Sequence, residues 1–258
     1  MKTLVAIPVF NEAASVRKVL SRVLDYVGNV LVVDDGSTDP TPDIVREFPV
    51  DVIRHAVNRG YGRSVADAFR WAAADGYDWI ITMDCDEQHE PDRIPDFLGE
   101  QERGGSDIIS GSRYYSVQSR LTAQTQAPAD RRRINGLITK EINERLATRL
   151  GTTLTDAFCG FKSHRVGAIA DLGLTEDGYA FPMQLWVRAA AAGLRVRELP
   201  VELIYNNPRR TFGGELDNPE ARLEHYRDVL ARELAAHAEQ LRDDPDPFSS
   251  ACRGCGCQ

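Results

Sequence analysis

Three apolar runs of this chain end in acids. Thr3–Phe10 (TLVAIPVF) leads into Asn11-Glu12, Asn29–Asp34 (NVLVVD) into Asp34-Asp35-Gly36-Ser37-Thr38-Asp39, and Trp79–Met83 (WIITM) into Asp84-Cys85-Asp86-Glu87-Gln88-His89. Each run has strand length, and none shows the polar alternation of a half-exposed strand, which is the pattern of strands covered on both faces. Helical spacing fills the gaps. Val16, Val19, Leu20, Val23 and Leu24 mark a helix over 13–27 with Asn11 as its N-cap, a helix over 63–74 is closed by Gly76, and another spans 91–103. A short helix over 44–48 and strands over 51–54 and 108–111 complete the alternation. This order predicts an α/β fold with a mostly parallel central sheet flanked by helices. In such a sheet the three acidic ends share one rim, the edge where ligands bind. Carboxylates gathered that closely are costly unless a cation or a donor-rich ligand offsets them. A divalent metal carrying a diphosphate would supply that compensation.

The second half is less regular. Residues 116–133 are polar and aperiodic and read as a mobile loop, followed by an amphipathic helix over 134–150 built on Ile134, Leu137, Ile138, Ile142, Leu146 and Leu150. A helix over 180–192 ends at Gly193. A strand over 196–205 carries Pro200, which places it at an edge or a bulge, and a long charged helix spans 220–241. With 258 residues, no internal repeat and no clear linker, the chain reads as one domain over 1–243 and a flexible tail over 244–258.

Composition removes several classes. A net charge of −8 argues against a general nucleic-acid binder, and no apolar run approaches the length of a membrane span. The N-terminus enters a strand at once, without a signal-peptide pattern. The five cysteines form no disulfide framework: Cys85 and Cys159 are solitary, and Cys252, Cys255 and Cys257 crowd the tail. The expected location is the cytoplasm, with at most peripheral contact at the inner face of the membrane.

Asp84 and Asp86, at alternate positions after a buried strand, can turn two oxygens to one cation, with Gln88 adding a neutral oxygen. Hard oxygen donors suit Mg²⁺ or Mn²⁺. The competing reading is a set of acids favouring the N-terminus of the helix that begins at Pro91.

Taken in order, Ile7-Pro8-Val9-Phe10-Asn11-Glu12, Val32-Val33-Asp34-Asp35-Gly36-Ser37-Thr38-Asp39, Asn58-Arg59-Gly60-Tyr61-Gly62 and Met83-Asp84-Cys85-Asp86-Glu87-Gln88-His89-Glu90-Pro91 resemble the family-2 inverting glycosyltransferases of the GT-A fold. The nearest branch is that of dolichyl- or polyprenyl-phosphate sugar synthases, here without their C-terminal membrane helices. The resemblance spans roughly residues 3–206. It implies that Pro8, Phe10 and Glu12 line a nucleoside pocket and that Val33 and Asp35 contact the base, Asp35 accepting its imide N–H. It implies that Gly60 and Gly62 let backbone pass close to the donor. Asp84, Cys85 and Arg113 would belong to the nucleotide-sugar site, with Asp84, Asp86 and Gln88 holding the metal. Residues 1–113 would be the nucleotide-sugar part and 114–243 the acceptor side.

Within Thr155-Asp156-Ala157-Phe158-Cys159-Gly160-Phe161-Lys162, which resembles the family's Asp-x-x-Ser-Gly-Phe-Arg, Cys159 and Lys162 depart from the pattern. Asp156 and Asp86 are the candidate catalytic acids. For a hydroxyl acceptor Asp156 would be the general base, with Glu176 or Asp177 behind it; a phosphate acceptor needs none. From Arg131 to Leu150 six basic and two acidic residues give a local charge of +4. That patch suits a phosphorylated or membrane-surface acceptor, with Arg132, Arg133 and Arg210 as phosphate contacts; a solvated helix face is the alternative. The implied activity is metal-dependent, inverting transfer of a sugar from a UDP- or GDP-linked donor to a polyprenyl phosphate or a sugar hydroxyl. The alternative is a non-catalytic nucleotide-sugar-binding protein on the same fold. A sugar-1-phosphate nucleotidyltransferase would need a glycine-rich basic loop after the first strand, where this chain has Asn11-Glu12.

Overall fold

The computed structural model describes residues 1–204 and 212–242, apart from the side chains of 123–125. Among these residues seven strands form one sheet: β1 (Thr3–Val9), β2 (Val30–Asp34), β3 (Asp51–Arg54), β4 (Trp79–Thr82), β5 (Ile108–Ser112), β6 (Lys162–Arg165) and β7 (Val196–Pro200), in the order β3-β2-β1-β4-β6-β5-β7. β6 runs antiparallel to both β4 and β5, and the other pairings are parallel. The helices are α1 (Val16–Leu24), α2 (Thr41–Val45), α3 (Tyr61–Ala74), α4 (Ile94–Arg103), α5 (Val117–Gln126), α6 (Ala129–Leu150), α7 (Val166–Ile169), α8 (Phe181–Ala191) and α9 (Pro219–Ala236).

Successive residues of β1 feed opposite cores. Leu4 and Ala6 join Leu31, Val33, Ile80 and Ile108 under α3, α6, α8 and α9, whereas Val5 and Ile7 join Val32, Ile81 and Ile109 under α1 and α4. Both faces are covered, which is why the strands are apolar throughout. The register aligns Val9 with Asp34, Asp34 with Arg54, and Ser112 with Pro200, so the carboxyl ends of the parallel strands share one rim. Because β6 is antiparallel, its amino end reaches that same rim, where Lys162 pairs with Thr82 and Ser110. The Asp156–Lys162 segment is thereby delivered beside Asp84.

Several expectations need correction. Residues 117–126 and 129–133 are helical, not a loop, and α6 begins one and a half turns before Ile134. Asn11 is not a helix N-cap. It takes a positive φ of 57°, and its Oδ1 accepts the N–H groups of Thr38 and Asp39 at 2.8 and 3.2 Å, stapling the β1 loop to the β2 loop. α1 starts at Val16, after a turn in which Ser15 N–H donates to Glu12 O. β7 ends at Pro200 and lies at the sheet edge, as its proline requires. Tyr205, Arg209, Arg210 and the cysteine tail lie outside the described residues.

Candidate active site

A cavity of about 760 Å³ opens on the carboxyl rim. One end is walled by Pro8, Val9, Phe10, Asn11 and Glu12 after β1, by Asp35 after β2, and by Asn58 and Gly60 before α3. Phe10 is 44% exposed, an open apolar ring at the mouth. Glu12 Oε2 accepts the Ser15 hydroxyl at 2.8 Å, and Glu12 N–H donates to Thr41 Oγ1. Asp35 is buried and well partnered: Oδ1 lies 2.6 Å from His55 Nδ1 and accepts Arg59 N–H at 2.8 Å, while Oδ2 accepts Gly60 N–H at 2.9 Å. A carboxylate has about four acceptor sites, so Oδ2 keeps one for a ligand. Val33 is not at the cavity. Its side chain points the other way along the β2 pleat, into the core with Val65 and Ala68.

Gly60 and Gly62 serve a different neighbour from the one expected. Gly60 has φ +104°, and a Cβ there would lie 2.3 Å from Asp177 O; a Cβ on Gly62 would lie 2.1 Å from Glu176 O. The glycines admit the 176–178 backbone, which closes over the start of α3.

Asp84, Cys85, Asp86 and Gln88 line the middle of the cavity. The Asp84 carboxylate is partly exposed and hydrogen-bonds the buried Tyr61 hydroxyl, whose pKa is driven well above the usual phenol value by burial and by the Asp84 charge. Gly160 makes room for that carboxylate: a Cβ there would come within 2.7 Å of Asp84 Oδ2. Asp86 Oδ1 accepts Gln88 N–H at 3.1 Å. His89 is buried, and Asp84 N–H donates to its Nδ1 at 2.9 Å; burial pushes its pKa down to about 4, so the ring is neutral and the proton sits on Nε2. His89 thus braces the backbone that presents Asp84. Cys85 and Cys159 are both buried, and burial lifts the Cys159 thiol to about 11. The donors that face the cavity here are hard carboxylate and amide oxygens, a set that fits Mg²⁺ or Mn²⁺.

Arg113 and Lys162 line the same cavity. Arg113 Nε and Nη2 grip Asp156 Oδ2 and Oδ1 at 2.6 and 2.9 Å. Asp156 Oδ1 also accepts from Asn135 Nδ2 at 2.8 Å and from Phe158 N–H at 3.2 Å. Asp156 has no exposed surface and does not line the cavity. Burial alone would raise its pKa, but the charge and hydrogen bonds of Arg113 outweigh that and hold it at about 2. Glu198 of β7 accepts the N–H groups of Thr155 and Asp156 and the Thr155 hydroxyl, fixing this turn from below. A carboxylate so enclosed and so acidic is unsuited to take a proton from an acceptor. Its visible work is to aim Arg113. Lys162 donates to Cys159 O and lies 5.4 Å from the Trp186 ring; burial lowers its pKa.

The far end carries Tyr114, Arg131, Phe158, Tyr179, Phe212, Arg222 and Tyr226. Phe212 lies between two guanidinium groups, Arg131 at 4.7 Å and Arg222 at 4.3 Å from its ring centre. Arg222 is buried and ion-paired with Asp130. Of the α6 arginines it is Arg131 that faces the cavity. Arg132 donates to Ala127 O, and Arg133 pairs with Glu220 on the surface. Glu176 pairs with Arg232 of α9, and neither Glu176 nor Asp177 lines the cavity. Sequence reasoning counted Arg131 in the basic run but named Arg132 and Arg133 as the contacts, gave Tyr61 and Phe212 no role, and missed Arg222 and Tyr226.

Comparison with known proteins places this arrangement. The model of glycosyl transferase family 2 matches residues 4–173. The undecaprenyl-phosphate mannosyltransferase of Micrococcus luteus is 32% identical over 216 residues, covering 79% of this chain and 84% of its own. The polyprenol monophosphomannose synthase of Mycolicibacterium smegmatis is 29% identical over 211 residues, covering 78% and 76%. Among solved structures, glucosyl-3-phosphoglycerate synthase of Mycobacterium tuberculosis, in complex with Mn²⁺, UDP and glucosyl-3-phosphoglycerate, superposes with a TM-score of 0.68 at 18% identity, over 95% of this chain and 81% of its own. The shared architecture is the GT-A fold.

Proposed function

The chain belongs to glycosyl transferase family 2, and on that footing we propose that it transfers a sugar from a nucleoside diphosphate to a polyprenyl phosphate, with a divalent cation held at Asp84 and Asp86. The observation that carries this reading is the charge layout of the cavity. Asp84 and Asp86 share the cavity with the cations Arg113 and Lys162, and the one acid expected as general base, Asp156, is fully buried and does not line it. An acceptor hydroxyl must lose its proton as it attacks, whereas a phosphate attacks as an anion already formed. With Asp156 sealed, and Asp84 and Asp86 assigned to the cation in this reading, a phosphate acceptor is the one that needs no further base. The names of the two bacterial relatives support the same acceptor class.

In this reading the nucleoside sits at Pro8, Phe10 and Glu12, and the spare acceptor site on Asp35 Oδ2 receives the base's imide N–H. The diphosphate lies between Asp84–Asp86 and Arg113. Asp156 occupies one edge of the Arg113 guanidinium, leaving Nη1 and its remaining N–H groups for phosphate oxygens. A bound Mg²⁺ or Mn²⁺ would offset the charge of the departing diphosphate. Asp84, Asp86 and Gln88 would hold it. Among the described residues no three His, Cys, Asp or Glu side chains form a metal cage, so the donor's own oxygens fit as further ligands. Arg113 supplies fixed positive charge where the leaving group gains negative charge. Arg131 is placed for the acceptor phosphate, and Phe158, Phe212 and Tyr226 offer apolar surface to the first isoprene units. Residues 1–113 are then the donor part and 114–243 the acceptor part.

No helix among the described residues is long and apolar enough to cross a membrane. A polyprenyl acceptor would bring the Arg131 end of the cavity to a bilayer surface. The reading is tested by thermal shift with UDP and GDP, with and without Mn²⁺. Stabilisation by one nucleotide that requires Mn²⁺, and that Asp86→Ala abolishes without unfolding the protein, is expected. Equal shifts in the presence of a chelator would overturn the metal assignment.

A further inference from the structure

His55 lies behind Asp35, outside the cavity lining, and no step described above uses it. It follows β3, and its side chain is 6% exposed. Its two ring nitrogens both face carboxylates: Nδ1 is 2.6 Å from Asp35 Oδ1, and Nε2 is 3.1 Å from Asp67 Oδ2 on α3. A neutral imidazole carries one N–H and one lone pair. It could donate to only one of these acids, and its lone pair would then meet the lone pair of the other. Both contacts are attractive only when both nitrogens carry hydrogen.

We propose that His55 is a doubly protonated positioning residue that bridges Asp35 to Asp67 and thereby holds the Asp35 carboxylate in place for the base of the donor. This rests on the reading of Asp35 as the acid that faces the base. The two carboxylates favour that positive charge, while the arginines on Asp67 oppose it. Asp67 is also held by Arg63 at 2.7 Å and by Arg70, both from α3, and Arg54 of β3 pairs with Asp34 at 3.1 Å rather than with Asp35. The other partners of Asp35 are the neutral N–H groups of Arg59 and Gly60. His55 is thus the cationic partner that Asp35 has in this network. That contact and the two N–H groups fix the orientation of the Asp35 carboxylate. Its spare site on Oδ2 can receive an imide N–H, from N3 of uracil or N1 of guanine. It repels the lone pair that cytosine and adenine present at the same ring position.

Two measurements on the full chain separate this proposal from the reading it rests on. The first is nitrogen-15 NMR of the histidine rings at neutral pH, with His55→Gln to assign the signal. Two protonated ring nitrogens at His55 are expected, and one unprotonated nitrogen there overturns the proposal. The second is calorimetry with Mn²⁺ and three probes: UDP, GDP and inorganic pyrophosphate. His55→Gln is expected to weaken the better nucleotide by about tenfold, the loss of one charge-assisted contact, and to leave pyrophosphate unchanged. A folded His55→Gln that binds the nucleotide as tightly as wild type, or that loses pyrophosphate equally, contradicts a role specific to the base. Asp35→Asn is the control. If it leaves nucleotide affinity intact while the His55 ring is doubly protonated, the assignment of Asp35 to the base is what fails.

Discussion

At the scale of single residues, Arg113 and Asp156 form a buried ion pair, and removing one partner strands the other. Asp156→Ala is expected to lower stability by about 3–5 kcal/mol, read as a fall in Tm. Asp156→Asn keeps the shape and part of the hydrogen bonding. With a phosphate acceptor, this variant should lose about tenfold or less in transfer rate, whereas loss of a true general base costs about 10²–10⁴-fold. The pair also leaves a mark on acid stability. The Asp156 carboxyl sits at about 2 in the folded protein against an ordinary 3.8. Its contribution, on the order of 2 kcal/mol, is therefore present above pH 4 and lost as pH falls toward 2. Urea unfolding at pH 6 and pH 3 should show the gap between wild type and Asp156→Asn shrinking at the lower pH. Gly160→Ala makes a separate prediction. The added methyl group would displace the Asp84 carboxylate, so Mn²⁺-dependent nucleotide binding should weaken while Tm changes little.

Among the elements, β6 explains most of what the sequence hid. Lys162, Ser163, His164 and Arg165 look like a surface turn, yet the first three are buried in the middle of the sheet. Ser163 bonds Gln101 of α4, and His164 packs edge-on against Phe69 of α3. Hydrophobic periodicity could not reveal a strand of buried polar residues, of which Ser163 is bonded from α4 while His164 Nδ1 has no hydrogen-bond partner among the described residues. The apolar strands, by contrast, announced themselves, and with them the rim that carries Asp35, Asp84 and Asp86. On α6 the cluster Arg131-Arg132-Arg133 was visible, but which arginine faces the cavity depends on helix phase, set by packing against α8 and α9. Burial also pushes the His164 pKa down to about 3. The unfolded chain thus gains a proton as pH falls below 6.5 while the folded chain does not, at roughly 1.4 kcal/mol per pH unit. His164→Gln should flatten the loss of urea stability between pH 6.5 and pH 4. At α3, Gly62→Ala would press a methyl group onto Glu176 O and onto the Phe181 Cβ of α8, at 2.1 and 2.9 Å. A cost of about 1–3 kcal/mol is expected, seen as a lower Tm.

For the whole molecule, the inserted antiparallel strand is the decisive feature of the topology. It carries the Asp156–Lys162 segment onto the rim already occupied by Asp35 and Asp84, so acids and cations share one cavity. The chain is acidic overall, with a net charge of −8, yet its cavity gathers Arg113, Arg131, Lys162 and Arg222. That contrast fits a site built for an anionic donor and an anionic acceptor. The most direct test of this account is a product assay with a UDP- or GDP-linked sugar, Mg²⁺ or Mn²⁺, and one of two acceptors, undecaprenyl phosphate or the unphosphorylated prenol. The account predicts a polyprenyl phosphate sugar from the first, none from the second, and loss of product on chelation. Transfer to the prenol hydroxyl, or transfer that survives chelation, would contradict it.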